Sequence, residues 1–133
     1  MPELAVRDCA ASLRFYVGVL GFTLRYQRSD EGFAYLALGE AELMLDQIGQ
    51  GRDFATGLAA GPLGRGLNLQ IRVSALGQFL AALQSRDILP VVGPEERWYR
   101  RGAEEVGQRQ LVVADPDGYL LRLQQPIGTR PAR

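Results

Sequence analysis

PELAVRDCAASLRFYVGVLGF (residues 2–22) and LNLQIRVSALGQFLAALQSRDILPVV (residues 67–92) decide the fold, because both stretches follow one plan. In each, a short apolar run ends in a valine, Val6 or Val73, and leads into a segment with apolar residues at helical spacing. A second extended run follows each helical segment. Identity between the copies is slight, so the repeat is one of pattern. The chain is therefore predicted to contain two similar modules.

The first copy predicts a strand, a helix and three further strands. Alternation places Leu4 and Val6 on one face of the first strand. Asp8 stands where an N-cap is expected, since its carboxylate can accept hydrogen bonds from the free N–H groups of the first helical turn. The helix is expected to reach about Val19 and to end at Gly21. Further strands are predicted over residues 22–28, 33–38 and 42–47, which gives a βαβββ module.

The second copy repeats this order. It predicts strands over residues 67–73, from Pro90 to just beyond Val92, over 108–114 and over 119–125, with a helix over about 75–86. Asp115-Pro116-Asp117-Gly118 is predicted to form the turn between the last two strands. PEERWYRRGAEEVG (residues 94–107) breaks the apolar pattern and is predicted to be a charged loop, and the chain is expected to fray after Pro126.

These elements predict an α+β fold and four segments. The first module spans residues 1–48, a glycine-rich linker 49–66, the second module 67–126, and a C-terminal tail 127–133. A module of this size buries little core by itself, so each is expected to cover a face with the other module or with a second chain. The glycine-rich linker permits either arrangement.

Composition argues against several classes of protein. Lys and Arg together number 15 and so do Asp and Glu, so the formal net charge is zero and no basic excess predicts nucleic-acid binding. Low net charge favours self-association. The sequence shows no signal-peptide pattern and no membrane-spanning apolar run. The single cysteine fits a reducing compartment, and a cytoplasmic location is predicted.

The chain has no histidine. This removes the usual general base near neutral pH and the commonest metal ligand. Any function must use carboxylates, arginines, amides, aromatic rings and apolar surface. Cys9 follows the predicted N-cap, where a thiol pKa can be lowered, but with no histidine nearby a structural role is expected.

Two motifs resemble a known family. VRDxxxSLxFYxxxLGF (residues 6–22) and DPDGYLL (residues 115–121) are similar to the vicinal oxygen chelate superfamily, which includes glyoxalase I, extradiol dioxygenases and the fosfomycin- and bleomycin-resistance proteins. The resemblance covers roughly residues 2–125. It implies the glyoxalase/bleomycin resistance fold, in which paired βαβββ modules with curled mixed sheets surround a cavity, usually in a homodimer.

The resemblance also implies where a metal would bind. Superfamily enzymes use mostly His, Glu or Gln side chains on equivalent strands, and these positions fall on Met1, about Met44, Asn68 and Arg122. Asn is a weak neutral ligand and an arginine repels a cation. The metal-free bleomycin-resistance branch is therefore the better model, and residues 97–119 also resemble it. On this basis no cofactor, metal ligand or catalytic residue is expected.

Strand parity predicts a ligand-binding face. On the fifth strand, Asn68, Gln70 and Arg72 share one face and are expected to line the cavity, although an antiparallel sheet can also present such a face to water. Buried arginines need partners, so pairing with Glu3 or Asp46 is an alternative to ligand contact. The candidate ligand-binding residues are Glu3, Phe33, Tyr35, Asp46, Asn68, Gln70, Arg72, Trp98, Tyr99 and Arg122.

The aromatic candidates have two interpretations. Trp98 and Tyr99 lie in an otherwise charged stretch, where they can cover an apolar or flat ligand or stack on a cation. They can equally belong to the core or to a dimer contact. Phe33 and Tyr35 share one face of the third strand and are candidates of the same kind.

Three functions follow. The first is a metal-free protein of the bleomycin-resistance type that sequesters a small, partly aromatic or antibiotic-like ligand in clefts of a homodimer. Bleomycin itself fits poorly, because the drug is cationic and arginines line the predicted cavity. The second is a lyase or dioxygenase that holds a metal with Glu3, Asp46 and water. The third is a structural or regulatory subunit whose own side chains fill the cavity.

Overall fold

A computed structural model describes residues 1–50 and 62–133. They form two four-stranded mixed sheets with one α-helix in each repeat, so the predicted α+β class is confirmed. The chain divides into two compact units, Met1–Leu67 with Asp115–Tyr119 and Asn68–Ala114 with Leu120–Arg133. Residues 51–61, most of the predicted linker, lie outside the described residues, and the predicted module boundaries stay a prediction.

The first unit has the predicted βαβββ order. Its elements are β1 (Glu3–Val6), α1 (Cys9–Tyr16), β2 (Thr23–Arg28), β3 (Phe33–Leu38) and β4 (Ala41–Gln47), with a short 3₁₀ turn at Ser29–Glu31. The strand order is β1-β4-β3-β2, with β1 parallel to β4 and the other neighbours antiparallel. Leu4 and Val6 of β1 are buried, as their alternation predicts.

The helix α1 begins where the sequence predicts. The Asp8 carboxylate accepts hydrogen bonds from the backbone N–H groups of Ala10 and Ala11, at 3.0 and 3.3 Å. The helix ends at Tyr16, before the predicted Val19, because a β-branched valine and then a glycine follow. Turns continue to Gly21, whose φ of +79° suits a glycine that closes a helical segment.

The second unit repeats the order. Its elements are β5 (Asn68–Arg72), α2 (Gly77–Ser85), β6 (Val92–Arg101), β7 (Glu104–Ala114) and β8 (Leu120–Pro131). The strand order is β5-β8-β7-β6, with β5 parallel to β8. Buried apolar side chains alternate along the central strands and mark the core face; these are Leu111, Val113, Leu121 and Leu123. In the described parts of both units, no helix is long and apolar enough to cross a membrane.

Residues 94–107 form a hairpin, so the prediction of a charged loop is wrong. The strands β6 and β7 pair through this stretch and turn at Gly102, whose φ is +65°. Residues of opposite charge face each other across the two strands, and each such pair contributes about 0.2–1 kcal/mol. The pairs are Glu96 with Arg109, Arg100 with Glu105, and Arg101 with Glu104.

The chain does not fray after Pro126. β8 continues to Pro131, and its last residues pair with the start of β7, for example Thr129 with Val106. Arg130 also forms an ion pair with Glu105 at 2.8 Å. The expectation of a frayed tail is therefore wrong through Pro131, because the long hairpin supplies a partner strand that no local pattern reveals.

One buried carboxylate organises the Asp115–Tyr119 segment of the first unit. Asp115 is 5% exposed. Its Oδ1 accepts from the backbone N–H groups of Asp117 and Tyr119, both at 2.9 Å, and its Oδ2 accepts from the Tyr16 hydroxyl at 2.7 Å. Burial raises the pKa of Asp115, while these hydrogen bonds act to lower it. Two of these donors shape the segment itself, and the Tyr16 hydroxyl holds it against α1.

Tyr119 and Asp117 join the same segment to β1 and to the residue that follows it. The Tyr119 hydroxyl donates to the backbone oxygen of Ala5 at 2.8 Å. The Arg7 guanidinium pairs with Asp117 Oδ1 at 3.3 Å. The DPDGY motif thus serves as a structural clasp within the first unit.

We expect the Tyr16→Phe variant to lower the free energy of unfolding by about 1–3 kcal/mol, because it removes a buried donor from a carboxylate. Chemical denaturation at neutral pH measures this loss. Tyr26→Phe is the matched control, since the Tyr26 side chain is 53% exposed and its change should stay within about 0.5 kcal/mol. Equal losses in the two variants would contradict the role assigned to Tyr16.

We also expect a pH dependence that Asp115→Asn removes. Burial raises the pKa of Asp115 above its ordinary value of 3.8, so the folded state binds this proton more readily than the unfolded state. The stability that this group contributes is complete below that ordinary value and is lost as pH rises through the raised pKa. Urea denaturation from about pH 3 to about pH 7 should therefore show the difference between wild type and variant shifting in favour of the variant as pH rises. A difference independent of pH would refute this assignment.

Candidate functional site

The second unit contains a pocket of about 460 Å³ on one face of its sheet. Strand register places this face opposite the buried Leu121 and Leu123. Polar and apolar side chains both reach the pocket. Its lining residues are Asn68, Val91, Val92, Glu95, Arg97, Tyr99, Gln110, Val112, Leu120 and Arg122.

Arg122 lies on β8, between Gln70 of β5 and Val112 of β7. Its Nε is buried and has no hydrogen-bond partner among residues 1–50 and 62–133. A buried polar group left without a partner costs about 1–3 kcal/mol. The arginine is therefore a cationic group whose charge the described part of the chain does not compensate.

Gln110 is the centre of a hydrogen-bond network in the same pocket. Its side-chain oxygen accepts from the Gln108 amide at 2.6 Å and from the Tyr99 hydroxyl at 3.1 Å. Its amide nitrogen donates to Glu95 at 2.8 Å. Both glutamines are buried. Because each of its polar atoms is used, Gln110 fixes the orientation of the tyrosine ring and of the carboxylate.

Glu95 pairs with two groups of its own unit. The hydrogen bond from Gln110, with a further contribution from Arg97, lowers the pKa of Glu95. Its carboxylate lies 3.4 Å from the Arg97 guanidinium. The prediction that residues 94–107 form a charged loop is therefore wrong at Glu95, which is a hydrogen-bonded residue of β6 that lines the pocket.

The structure brings together three of the predicted site residues in this pocket, Asn68, Tyr99 and Arg122. Gln70 and Arg72 alternate with the buried Ile71 and are exposed on the same face of β5 as Asn68, but they are not among the pocket-lining residues. Their assignment as ligand-binding residues stays a prediction.

Trp98 lies on the opposite face of β6 from Tyr99, because neighbouring residues in a strand point to opposite sides. Its ring covers Gly107, where an added Cβ would lie 2.6 Å from the ring, and the Arg130 guanidinium lies 4.1 Å from the ring centre. Trp98 and Tyr99 therefore do not form a single aromatic surface. Trp98 packs on the outer face of the hairpin.

The other four predicted residues share one face of the first unit's sheet. Register aligns Glu3 with Met44, and Asp46 with Phe33. Tyr35 stacks on Tyr26 with ring centres 5.3 Å apart. These four side chains thus lie on the face of the sheet that alternation along their strands predicts. Their contact with a ligand stays a prediction.

A smaller pocket of about 330 Å³ in the first unit is lined in part by Cys9, Phe33 and Gln47. The Cys9 thiol is buried, and burial raises its pKa. A raised pKa keeps the thiol protonated and unreactive near neutral pH. This agrees with a structural role for Cys9.

Residues 2–123 match the family model of the Glyoxalase/Bleomycin resistance protein/Dioxygenase superfamily. The chain belongs to this superfamily. The order of elements in both units agrees with the fold that the sequence motifs imply. The search of curated protein sequences found no match.

Several solved structures are similar over nearly the whole chain. TioX from Micromonospora sp. ML1 has a TM-score of 0.72 and 21% identity, and the match covers 96% of this chain and 98% of TioX. A virulence protein from Salmonella typhimurium has a TM-score of 0.70 and 24% identity, with 95% and 94% covered. These two show the fold alone. A bleomycin-binding protein complexed with bleomycin has a TM-score of 0.61 and 25% identity, with 94% and 95% covered.

The pocket of this superfamily member does not fit a metal ion. Two of the positions at which the family resemblance implies ligands, Asn68 and Arg122, line it, and neither an amide nor a guanidinium is a good ligand for a divalent cation. Glu95 is the carboxylate in the lining, and Gln110 and Arg97 already engage it. Across the described parts of both units, no three His, Cys, Asp or Glu side chains are grouped to hold an ion.

Sequence reasoning missed most of the pocket. Glu95, Arg97 and Gln110, and the apolar residues Val91, Val92, Val112 and Leu120, were not among the predicted site residues. A signal was present, because Glu95, Arg97 and Tyr99 alternate with Glu96 and Trp98 at the spacing of a strand. The many charged residues of 94–107 instead favoured the prediction of a loop.

We expect Gln110→Leu to raise the pKa of Glu95 toward its ordinary value of 4.5, because its strongest stabilising hydrogen bond is lost. The buried Gln108 amide also loses its partner, which should lower the free energy of unfolding by about 1–3 kcal/mol. Carboxyl NMR titration and chemical denaturation measure the two effects. Gln78→Leu, at an exposed position of α2, is the control and should change neither. An unaltered Glu95 titration would disprove the network.

Proposed function

We propose that this superfamily member is a small-molecule binding protein that sequesters its ligand without metal chemistry, as the bleomycin-resistance type does. The observation that carries the proposal is Arg122, which stands in an open pocket at a position where the family resemblance implies a metal ligand. The protein acts by binding alone: it withdraws the ligand from its target, and no covalent bond is made or broken.

Electrostatics supports binding over metal-assisted catalysis. A guanidinium is protonated at every physiological pH, so Arg122 presents a permanent positive charge inside the pocket. A divalent cation placed beside it would meet repulsion in an environment that screens charge less than water does. Such a site suits an organic guest better than a bound metal.

The lining supports a partly apolar guest. Val91, Val92, Val112 and Leu120 supply apolar surface, and the Tyr99 ring is held beside them by its hydrogen bond to Gln110. Ligand sites typically combine apolar walls with a few fixed polar groups. The volume of about 460 Å³ also falls within the range of small-molecule pockets.

The alternatives have less support. An enzyme that holds a metal with Glu3 and Asp46 would need further donors, and the described residues of that unit supply no third carboxylate, thiol or imidazole in a group with them. A subunit with a filled cavity is disfavoured by the open pocket in the second unit. The homodimer, the antibiotic-like ligand and the cytoplasmic location stay predictions.

We expect at least one compound in a panel of small aromatic molecules to raise the melting temperature of the purified protein. Binding to the folded state alone adds about 2.7 kcal/mol when the free ligand is at 100 times its Kd. The rise should be the same after dialysis against EDTA as after addition of Zn²⁺ or Mn²⁺. Mass spectrometry should recover the compound unchanged.

Val112→Trp supplies the matched control, because its larger ring occupies the pocket. We expect this variant to fold, by circular dichroism, and to lose the ligand-dependent rise. A rise that depends on added metal, or a chemically altered compound, would contradict the proposal.

A further inference from the structure

We infer that the pocket of the second unit selects organic acids: its ligand places a carboxylate at Arg122 and an apolar or aromatic body against Tyr99 and the neighbouring valines. This inference rests on the proposed binding function and names the class of ligand. The sequence predicts that cationic bleomycin fits poorly, and the inference adds that the favoured ligand is negatively charged.

Arg122 lines the pocket and is only partly buried. Its Nε is covered by protein and lacks an acceptor, and none of the ion pairs within residues 1–50 and 62–133 involves Arg122. A ligand in the pocket would therefore meet the two terminal nitrogens, Nη1 and Nη2. Their N–H groups form a planar fork that matches the two oxygens of a carboxylate.

The other arginine of the pocket is already compensated. Arg97 lies 3.4 Å from the Glu95 carboxylate and its side chain is 61% exposed. The same carboxylate oxygen, Oε1, also accepts from the Gln110 amide at 2.8 Å. The acidic residue in the lining is thus held by its own neighbours on β6 and β7, which leaves the charge of Arg122 available to a guest.

The position of Arg122 in the sheet defines the rest of the ligand. Val112 lies directly across from it on β7, and Val92 lies across from Val112 on β6. A row of apolar side chains therefore leads from the guanidinium toward β6, where Tyr99 also lines the pocket. Asn68, near the same end of the sheet as Leu120, offers an amide to a second polar group. A flat acid that extends its ring along this row would contact both kinds of surface.

The test compares three ligands of one shape and different charge: naphthoate, naphthamide and naphthylmethylamine. Isothermal titration calorimetry measures Kd for each with wild-type protein, Arg122→Gln and Arg109→Gln. Arg109 is exposed on β7 and points to the opposite face from Gln110, so its variant removes the same charge outside the pocket.

The wild-type protein should bind naphthoate at least about tenfold more tightly than naphthamide, and the amine most weakly, because a charge-assisted pair to arginine is lost in the neutral and cationic ligands. Arg122→Gln should abolish this preference by weakening naphthoate binding to about the level of naphthamide, and circular dichroism checks that the variant is folded. Arg109→Gln should behave as wild type. Arg122→Lys should recover only part of the preference, since an ammonium lacks the planar fork.

The outcomes separate the two proposals. Equal affinities for acid and amide, or a preference for the amine, would overturn the selection of acids while leaving a binding protein. A preference for naphthoate that persists in Arg122→Gln would also overturn it. Absence of heat and of any melting-temperature change with all three ligands would count against the binding function itself, and against the inference that rests on it.

Discussion

The carboxylate of Asp115 is the constraint on which the first unit depends. It is buried, it accepts three hydrogen bonds, and one of them comes from the hydroxyl of Tyr16 in α1. A buried charge is tolerated only when its hydrogen-bonding capacity is filled. Tyr16 is itself fully buried, and its ring meets those of Phe15 and Phe22 edge-to-face, at 5.3 and 5.4 Å. Core packing and the polar clasp are therefore built on the same side chain.

Arg122 is the buried polar group of the second unit whose hydrogen bonding is left incomplete. Its buried nitrogen is left without an acceptor among the described residues, whereas both polar atoms of the Gln110 side chain are hydrogen-bonded. This contrast within one pocket is informative. The Gln110 side chain is hydrogen-bonded, whereas the unpaired Nε of Arg122 lowers the stability of the folded state. Proteins often leave such a deficit where a ligand completes the bonding. With no histidine in the chain, the site offers charge and shape for recognition.

Local patterns were sufficient for much of this fold. Asp8 capped α1 as predicted, and the alternation of Leu69 and Ile71 with Asn68 and Gln70 gave the two faces of β5. The hairpin at residues 94–107 was missed despite its strand-like alternation, because its stability comes from charges paired across strands, such as Glu96 with Arg109. Gln110 was missed for the same reason: its partners on β6 are set by register, which the sequence of one strand does not contain. The face on which Arg122 lies could be predicted because alternation within β8 is a local property.

The Asp115–Tyr119 clasp makes the first unit discontinuous in sequence. Its segment belongs with residues 1–67, although it is encoded between two strands of the second unit. A gene divided within the glycine-rich region would therefore yield an amino-terminal fragment without the residues that bond to Tyr16 and to Ala5. The repeat in the sequence therefore does not mark a unit that folds alone. The amino-terminal half would need the Asp115–Tyr119 segment, supplied in the same chain or by a complementing fragment, to complete its hydrogen bonds.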